Sequence, residues 1–231
     1  MTRRLFWEDA YIKEFDAKVV SVDGDKVVLD QTAFNPRGGG LVSDTGSIDG
    51  LRVVEAQKEG EEVVHVLASH PARNVGDQVR GVLDWERRYR IMRMHTAAHI
   101  LSSVVHNETG ALITGNQISP DESRVDLDLE AFDRDKLSYY VGKVNEAAAR
   151  GVEVSAFFMD REKALATPGL VKLAKAMPPA VEQLRIVQIG DVDTQADGGV
   201  HVKNTKEIGT VVVLRAENKG KSNKRLHFTV H

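Results

Sequence analysis

The sequence predicts two domains: a small N-terminal β-barrel over residues 1–88, then an α+β domain over residues 89–231. Three observations predict this. The first third is a series of short apolar runs separated by Gly and Asp turns, with no long helical pattern among them. The character changes near Trp85, where apolar residues begin to recur at helical spacing. Beyond it, helical and strand-like runs mix without strict βαβ alternation, which points to an α+β arrangement.

Taken in order, residues 17–22 and 26–29 flank Asp23-Gly24-Asp25, a hairpin signal. Strand-like runs follow at 46–48, 51–56, 62–67 and 78–83. From 87 to 105, Ile91, Met94, Ala98, Leu101 and Val105 fall on one face of a helix. A second helix is expected from about 133 to 150, then a strand at 152–159. Short helices at 161–166 and 170–176 are separated by Pro168-Gly169, and strands close the chain at 184–189, 210–215 and 226–230.

Composition narrows the function classes. Of 231 residues, 42% are hydrophobic and 28% charged, ordinary values for a globular protein. The net charge of -3 means that any nucleic-acid contact must rest on a local basic patch. The chain has no cysteine, which excludes disulfides, thiolate metal ligands and a cysteine nucleophile. No run approaches the roughly 18 apolar residues of a membrane span, and the N-terminus lacks a signal-peptide core. The expectation is a soluble cytoplasmic protein without a membrane partner or an obligatory protein partner.

The chemistry concentrates in two stretches. In RMHTAAHILSS, His95 and His99 stand at i and i+4, neighbours on one helix face and able to reach one metal ion. In isolation such a pair is more often two hydrogen-bonded helix histidines. No glutamate follows the first histidine as in the HExxH peptidases. A zinc site needs further ligands, and QADGGVHVKNTKEIG offers Asp197 and His201, with Gly198 and Gly199 as loose backbone between them. Four ligands would give a closed sphere; three histidines alone would leave an open position.

These stretches resemble the paired metal motifs of the alanyl-tRNA editing domain. That domain occurs inside alanyl-tRNA synthetases and as freestanding AlaX-type proteins. HTAAHIL at 95–101 and GGVHVKNTKEIG at 198–209 carry the resemblance, and TAFNPRGGGLVSDTG at 32–46 is similar to the family's glycine-rich motif. Residues 111–130 and 218–228 also look like family segments. The resemblance runs over nearly the whole chain, and its length matches the freestanding, medium-length form: a barrel followed by an editing domain of the alanyl/threonyl-tRNA synthetase second-additional-domain type.

The resemblance implies a trans-editing hydrolase that removes serine, and in some members glycine, from alanine tRNA. It implies one zinc ion on His95, His99 and His201. Asp197 stands where the family commonly has cysteine, Leu41 where GGGQ ends in glutamine, Asn35 in place of a tyrosine and Val200 in place of a threonine. Catalysis is expected from water on the metal, with no protein nucleophile, since no Gly-x-Ser-x-Gly elbow occurs. The substrate pocket is expected to include Thr32, Gly38, Gly39, Gly40 and Gln117. Phosphate contacts to tRNA are expected from Arg87, Arg88, Lys203, Lys221, Lys224 and Arg225. The competing readings are a tRNA-binding protein with an impaired metal site, and a general metallohydrolase of small esters.

Overall fold

The structure, a computed structural model, describes residues 1–130, 134–170, 181–220 and 222–231. The helix expected at 170–176 lies largely outside the described residues, as do the expected helix start at 133 and Lys221. The chain divides into two compact units, Met1–Ile91 and Met92–His231. The division follows Ile91, where the sequence places it after Arg88.

The first unit contains β1 (Arg3–Arg4), α1 (Leu5–Glu8), β2 (Glu14–Asp23), β3 (Lys26–Leu29), β4 (Gln31–Thr32), β5 (Gly46–Ile48), β6 (Leu51–Glu59), β7 (Glu62–Leu67) and β8 (Gln78–Leu83). Strands β2, β3, β7, β6, β5 and β8 pair antiparallel in that order, and β8 pairs back onto β2, so the ring of ladders closes. On β2 the two-residue period is plain: Phe15, Ala17 and Val19 are buried, while Glu14, Asp16 and Lys18 are exposed. The β2–β3 hairpin turns through Gly24-Asp25, with Asp23 paired to Lys26 and Gly24 at a φ of 60°. Gly81 lies against the Phe15 ring; a Cβ there would sit 2.4 Å from two ring carbons. No other residue fits without displacing the ring.

A buried polar chain runs through this unit. The Phe34 amide donates to Thr32 Oγ1 at 3.1 Å, Thr32 Oγ1 lies 2.8 Å from His65 Nε2, and His65 Nδ1 lies 3.0 Å from the Val27 carbonyl. A carbonyl only accepts, so His65 donates from Nδ1 and receives the Thr32 proton at Nε2. Both residues are fully buried. Burial pushes the His65 imidazole down to about 4, against the partial opposition of its Val27 hydrogen bond.

The second unit holds most of α2 (Trp85–Thr109), then β9 (Ile113–Gln117), β10 (Ser123–Leu127), α3 (Arg134–Ala149), β11 (Val154–Asp160), α4 (Arg161–Ala166), β12 (Gln183–Ile189), β13 (Asp193–Ala196), a 3-10 turn (Thr205–Ile208), β14 (Val211–Asn218) and β15 (Lys224–Val230). One sheet has the order β14-β15-β10-β9 and a second β11-β12-β13. The architecture is a strand-rich mixture of helix and antiparallel sheet. No described helix is long and apolar enough to cross a membrane.

Helix α2 buries the expected stripe of Ile91, Met94, Ala98, Leu101 and Val105. It also buries Met92, His95, Thr96, His99, Ser102 and Ser103, so its middle is covered on more than one face. His95, Thr96, His99 and Ser103 find hydrogen-bond partners there, whereas the Ser102 hydroxyl has none among the described residues.

A stability prediction follows from His65. Its folded pKa lies below the unfolded value of 6.5, so between 6.5 and about 4 the unfolded chain binds the extra proton and stability falls as pH falls. Urea unfolding at pH 7 and pH 5 is expected to show wild type losing about 2 kcal/mol more than His65→Gln. Equal losses in the two proteins would show that His65 does not fold as a neutral side chain.

Candidate metal centre

The two chemical stretches meet in the second unit. Among the described residues, one group of His, Cys, Asp and Glu side chains can hold a metal: His95, His99, Asp197 and His201, with one ligand atom from each all within 4.8 Å of one another. Asp197 Oδ1 lies 3.3 Å from His201 Nε2, and Oδ2 lies 3.5 Å from His95 Nε2 and 3.7 Å from His99 Nε2. Zinc–nitrogen bonds of roughly 2.1 Å in a tetrahedron place neighbouring ligand atoms about 3.4 Å apart. The three Asp197–histidine distances have that size.

What aims these atoms inward is the other nitrogen of each ring. His95 Nδ1 lies 3.2 Å from the Val200 carbonyl, which can only accept. His99 Nδ1 lies 3.0 Å from Asp193 Oδ2. His201 Nδ1 lies 3.1 Å from Thr96 Oγ1, whose own proton goes to the Met92 carbonyl at 2.9 Å, so Thr96 accepts from the ring and from the Val202 amide at 3.3 Å. All three neutral rings therefore carry the proton on Nδ1 and present the Nε2 lone pair to the same space. Three lone pairs and a carboxylate facing one another could hold a cation between them.

Burial and charge act on these groups in opposite directions. Burial would raise the Asp197 carboxyl, but the charge of His95 and hydrogen bonds with His201, His95 and His99 outweigh it and hold Asp197 well below the usual carboxylate range. Burial, then the charge of His95, pushes His201 well below the ordinary imidazole value against the pull of Asp197. Burial also acts to lower His99, yet hydrogen bonds and charge from Asp193 and Asp197 together carry it up to about 9.

The backbone that delivers Asp197 and His201 is held by side chains. The Gly199 amide donates to Asp197 Oδ1 at 2.6 Å, and Arg185 on β12 donates from Nη1 to the Asp197 and Gly199 carbonyls at 3.2 and 3.0 Å. Neither Gly198 nor Gly199 has a left-handed φ, so the turn does not use the conformational freedom the sequence suggested. After His201, Asn204 and Glu207 form a capping box: Asn204 Oδ1 accepts from the Lys206 amide at 2.9 Å, and Glu207 Oε1 from the Asn204 amide at 3.0 Å. Arg93 of α2 then binds the Ile208 carbonyl at 3.1 and 2.7 Å.

The other expected site residues fare unevenly. Thr32 is fully buried and its hydroxyl proton is committed to His65. Gly38, Gly39 and Gly40 are exposed in a tight turn in which Gly38 and Leu41 exchange both backbone hydrogen bonds; φ is 58° at Gly39 and 88° at Gly40. Positive φ at both central residues demands glycine whatever lies nearby. Gln117 is exposed and accepts from Arg124 Nε at 3.4 Å.

Among the basic residues, Arg88 corrects the sequence reading outright. It is fully buried, donates from Nε to the two Asp44 oxygens at 2.9 and 3.0 Å and from Nη1 to the Ala10 carbonyl at 2.9 Å, and also reaches the Ala33 carbonyl. A phosphate cannot reach it. Lys224 is buried too, with Nζ 3.0 Å from Asn218 Oδ1 and from the Gly220 carbonyl. Arg225 pairs with Asp126 at 2.7 and 2.8 Å, and Arg87 donates to the Ser43 carbonyl at 3.3 and 3.2 Å. Lys203 is exposed. The sequence reading missed Asp193, Thr96 and Arg185, which touch the ligand group or its backbone.

Comparison with known proteins places the chain in a class of domains shared with tRNA synthetases. The family of the threonyl and alanyl tRNA synthetase second additional domain matches residues 184–227, and that of class II (A) tRNA synthetases matches residues 8–87. An alanyl-tRNA editing protein AlaX-M of Saccharolobus solfataricus is 45% identical over all of this chain and 99% of its own length. One of Methanosarcina barkeri is 44% identical over 100% of this chain and 99% of its own. An alanine–tRNA ligase of Hyperthermus butylicus is 37% identical over 94% of this chain and 24% of the ligase. The chain belongs to the AlaX family of alanyl-tRNA editing proteins.

The centre predicts its own mutational signature. Equilibrium competition against a chromophoric chelator is expected to show His201→Ala and Asp197→Ala each weakening divalent-metal affinity by more than ~100-fold, beyond the usual effect of losing an outer partner. A loss under ~10-fold for Asp197→Ala alone would place its carboxylate outside the coordination sphere.

Proposed function

We propose that this chain hydrolyses the ester of mischarged alanine tRNA, removing serine and, in second place, glycine, with one zinc ion held by His95, His99, His201 and Asp197. The observation that carries the reading is the convergence of three Nδ1-anchored imidazoles and one carboxylate, with a ligand atom from each within 4.8 Å of the others. Membership of the editing family supplies the reaction and the tRNA. The histidine-rich, thiolate-free donor set suits zinc.

Zinc held by these residues would supply Lewis acidity toward the aminoacyl ester. The chain's own residues do the rest. Val200, Asp193 and Thr96 hold the rings, so no ligand must reorganise as charge develops. Burial of His95, His99 and His201 keeps bulk water from competing for the cation. Lys203, two residues from His201, is the exposed cation we assign to the phosphates of the acceptor end.

Deacylation of alanine tRNA charged with serine, glycine or alanine tests this, using native, metal-stripped and zinc-restored protein. Seryl ester turnover is expected to disappear on stripping and return with zinc, while the alanyl ester is spared. Turnover that survives full metal removal defeats the zinc reading. Salt-sensitive tRNA binding without turnover, in zinc-loaded protein, supports the tRNA-binding alternative instead.

A further inference from the structure

We propose that Asp193 is the positioning residue of the metal centre: it holds His99 in the orientation and tautomer that ligation needs, and it provides a second buried negative charge against the ion. The inference rests on the metal reading above.

Among the three ring anchors, only that of His99 is a carboxylate. His95 leans on a backbone carbonyl and His201 on a hydroxyl, each neutral. Asp193 Oδ2 lies 3.0 Å from His99 Nδ1, and both side chains are buried, the aspartate at 1% exposure. A carboxylate so enclosed needs opposite charge nearby. Asp193 and Asp197 lie on opposite sides of the same ring, and together they balance one dication while all three imidazoles stay neutral.

The position of Asp193 is fixed by backbone that has no other evident task. It opens β13, paired with Ile189 of β12. The residue before it, Val192, donates its amide to the Ile189 carbonyl at 2.8 Å and accepts from Ser103 Oγ at 2.7 Å. Ser103 stands one helical turn beyond His99, so the same helix that carries the ligand also grips the strand that carries its anchor. Gln195, on that strand, places its amide nitrogen 2.9 and 3.0 Å from the His99 ring nitrogens. With Nδ1–H given to Asp193, that contact falls to the Nε2 side, the side an ion takes. Asp193 therefore decides which nitrogen remains available.

A carboxylate behind a ligating histidine raises its donor strength and fixes its tautomer, and losing it costs roughly 10–100-fold in metal affinity. The test measures zinc affinity by chelator competition on the full chain, at pH 7.5, for wild type, Asp193→Asn, Asp193→Glu, His99→Ala and the His99→Ala/Asp193→Asn double variant. Asp193→Asn is expected to weaken zinc 10–100-fold with an unchanged far-UV spectrum, and Asp193→Glu to recover part of that loss. In the His99→Ala background, Asp193→Asn is expected to cost nothing further, because its effect runs through that ring. In zinc-loaded wild type the His99 Nδ1–H proton is expected as a slowly exchanging NMR resonance that Asp193→Asn shifts. Wild type that binds no zinc defeats the metal reading itself. Wild type that binds zinc while Asp193→Asn binds within threefold of it, or an undiminished further loss in the His99→Ala background, overturns the role of Asp193 alone. If the Asn variant does not fold, the Glu variant decides: zinc affinity weakened more than threefold with a shifted His99 Nδ1–H resonance in a folded protein supports the role, and affinity and resonance both unchanged from wild type overturn it.

Discussion

Everything at the centre depends on where three imidazole protons sit. Each neutral ring donates its Nδ1–H to an acceptor: the Val200 carbonyl, the Asp193 carboxylate, and the Thr96 hydroxyl, whose own proton goes to Met92. The three Nε2 atoms are left as acceptors around Asp197. If one anchor were replaced by a group that could donate, that ring could turn its lone pair outward and the inward charge demand would break.

The rest of the second unit serves this arrangement. Helix α2 carries two rings on one face and is buried around its middle, so those rings cannot swing into solvent. Arg185 and the Asn204–Glu207 box brace the segment carrying Asp197 and His201 on either side. The tight spacing of QADGGVHVKNTKEIG reflects three jobs in fifteen residues: a ligand pair, a turn held by side-chain acceptors, and a cap that stops the chain against α2.

The candidate cluster was legible in the sequence because helical spacing of His95 and His99 is a one-dimensional signal, and so is a short Asp–His interval. Strand β2, with its clear alternation, was legible for the same reason. β9 and β13 were not: β13 has four residues, and β9 contains Thr-Gly-Asn-Gln, with no alternation to see. Asp193 escaped because its meaning lies in a contact 94 residues away. Arg88 misled because an arginine in a run of arginines reads as surface charge; only the fold brings Asp44 and two carbonyls around it. Lys224 misled in the same way, its ammonium turned back onto its own hairpin. Gly38 to Gly40 had two meanings in sequence, a turn or a ligand approach, and the turn suffices to require them.

The contacts that tie α2 to the later motif span 94 to 115 residues: His99 with Asp193, His95 with Val200, Thr96 with His201 and Val202, and Arg93 with Ile208. They are among the least local in the chain, and such contacts form late and slowly because the intervening loop must close first. On the ribosome, His95 and His99 emerge long before any residue that orients them. The nascent helix holds two rings with free tautomers, and the centre comes into being only as the last forty residues arrive and dock. The geometry of the candidate centre thus marks completion of folding in the second unit, and a chain stopped short of His201 holds the helix pair without the groups that meet it.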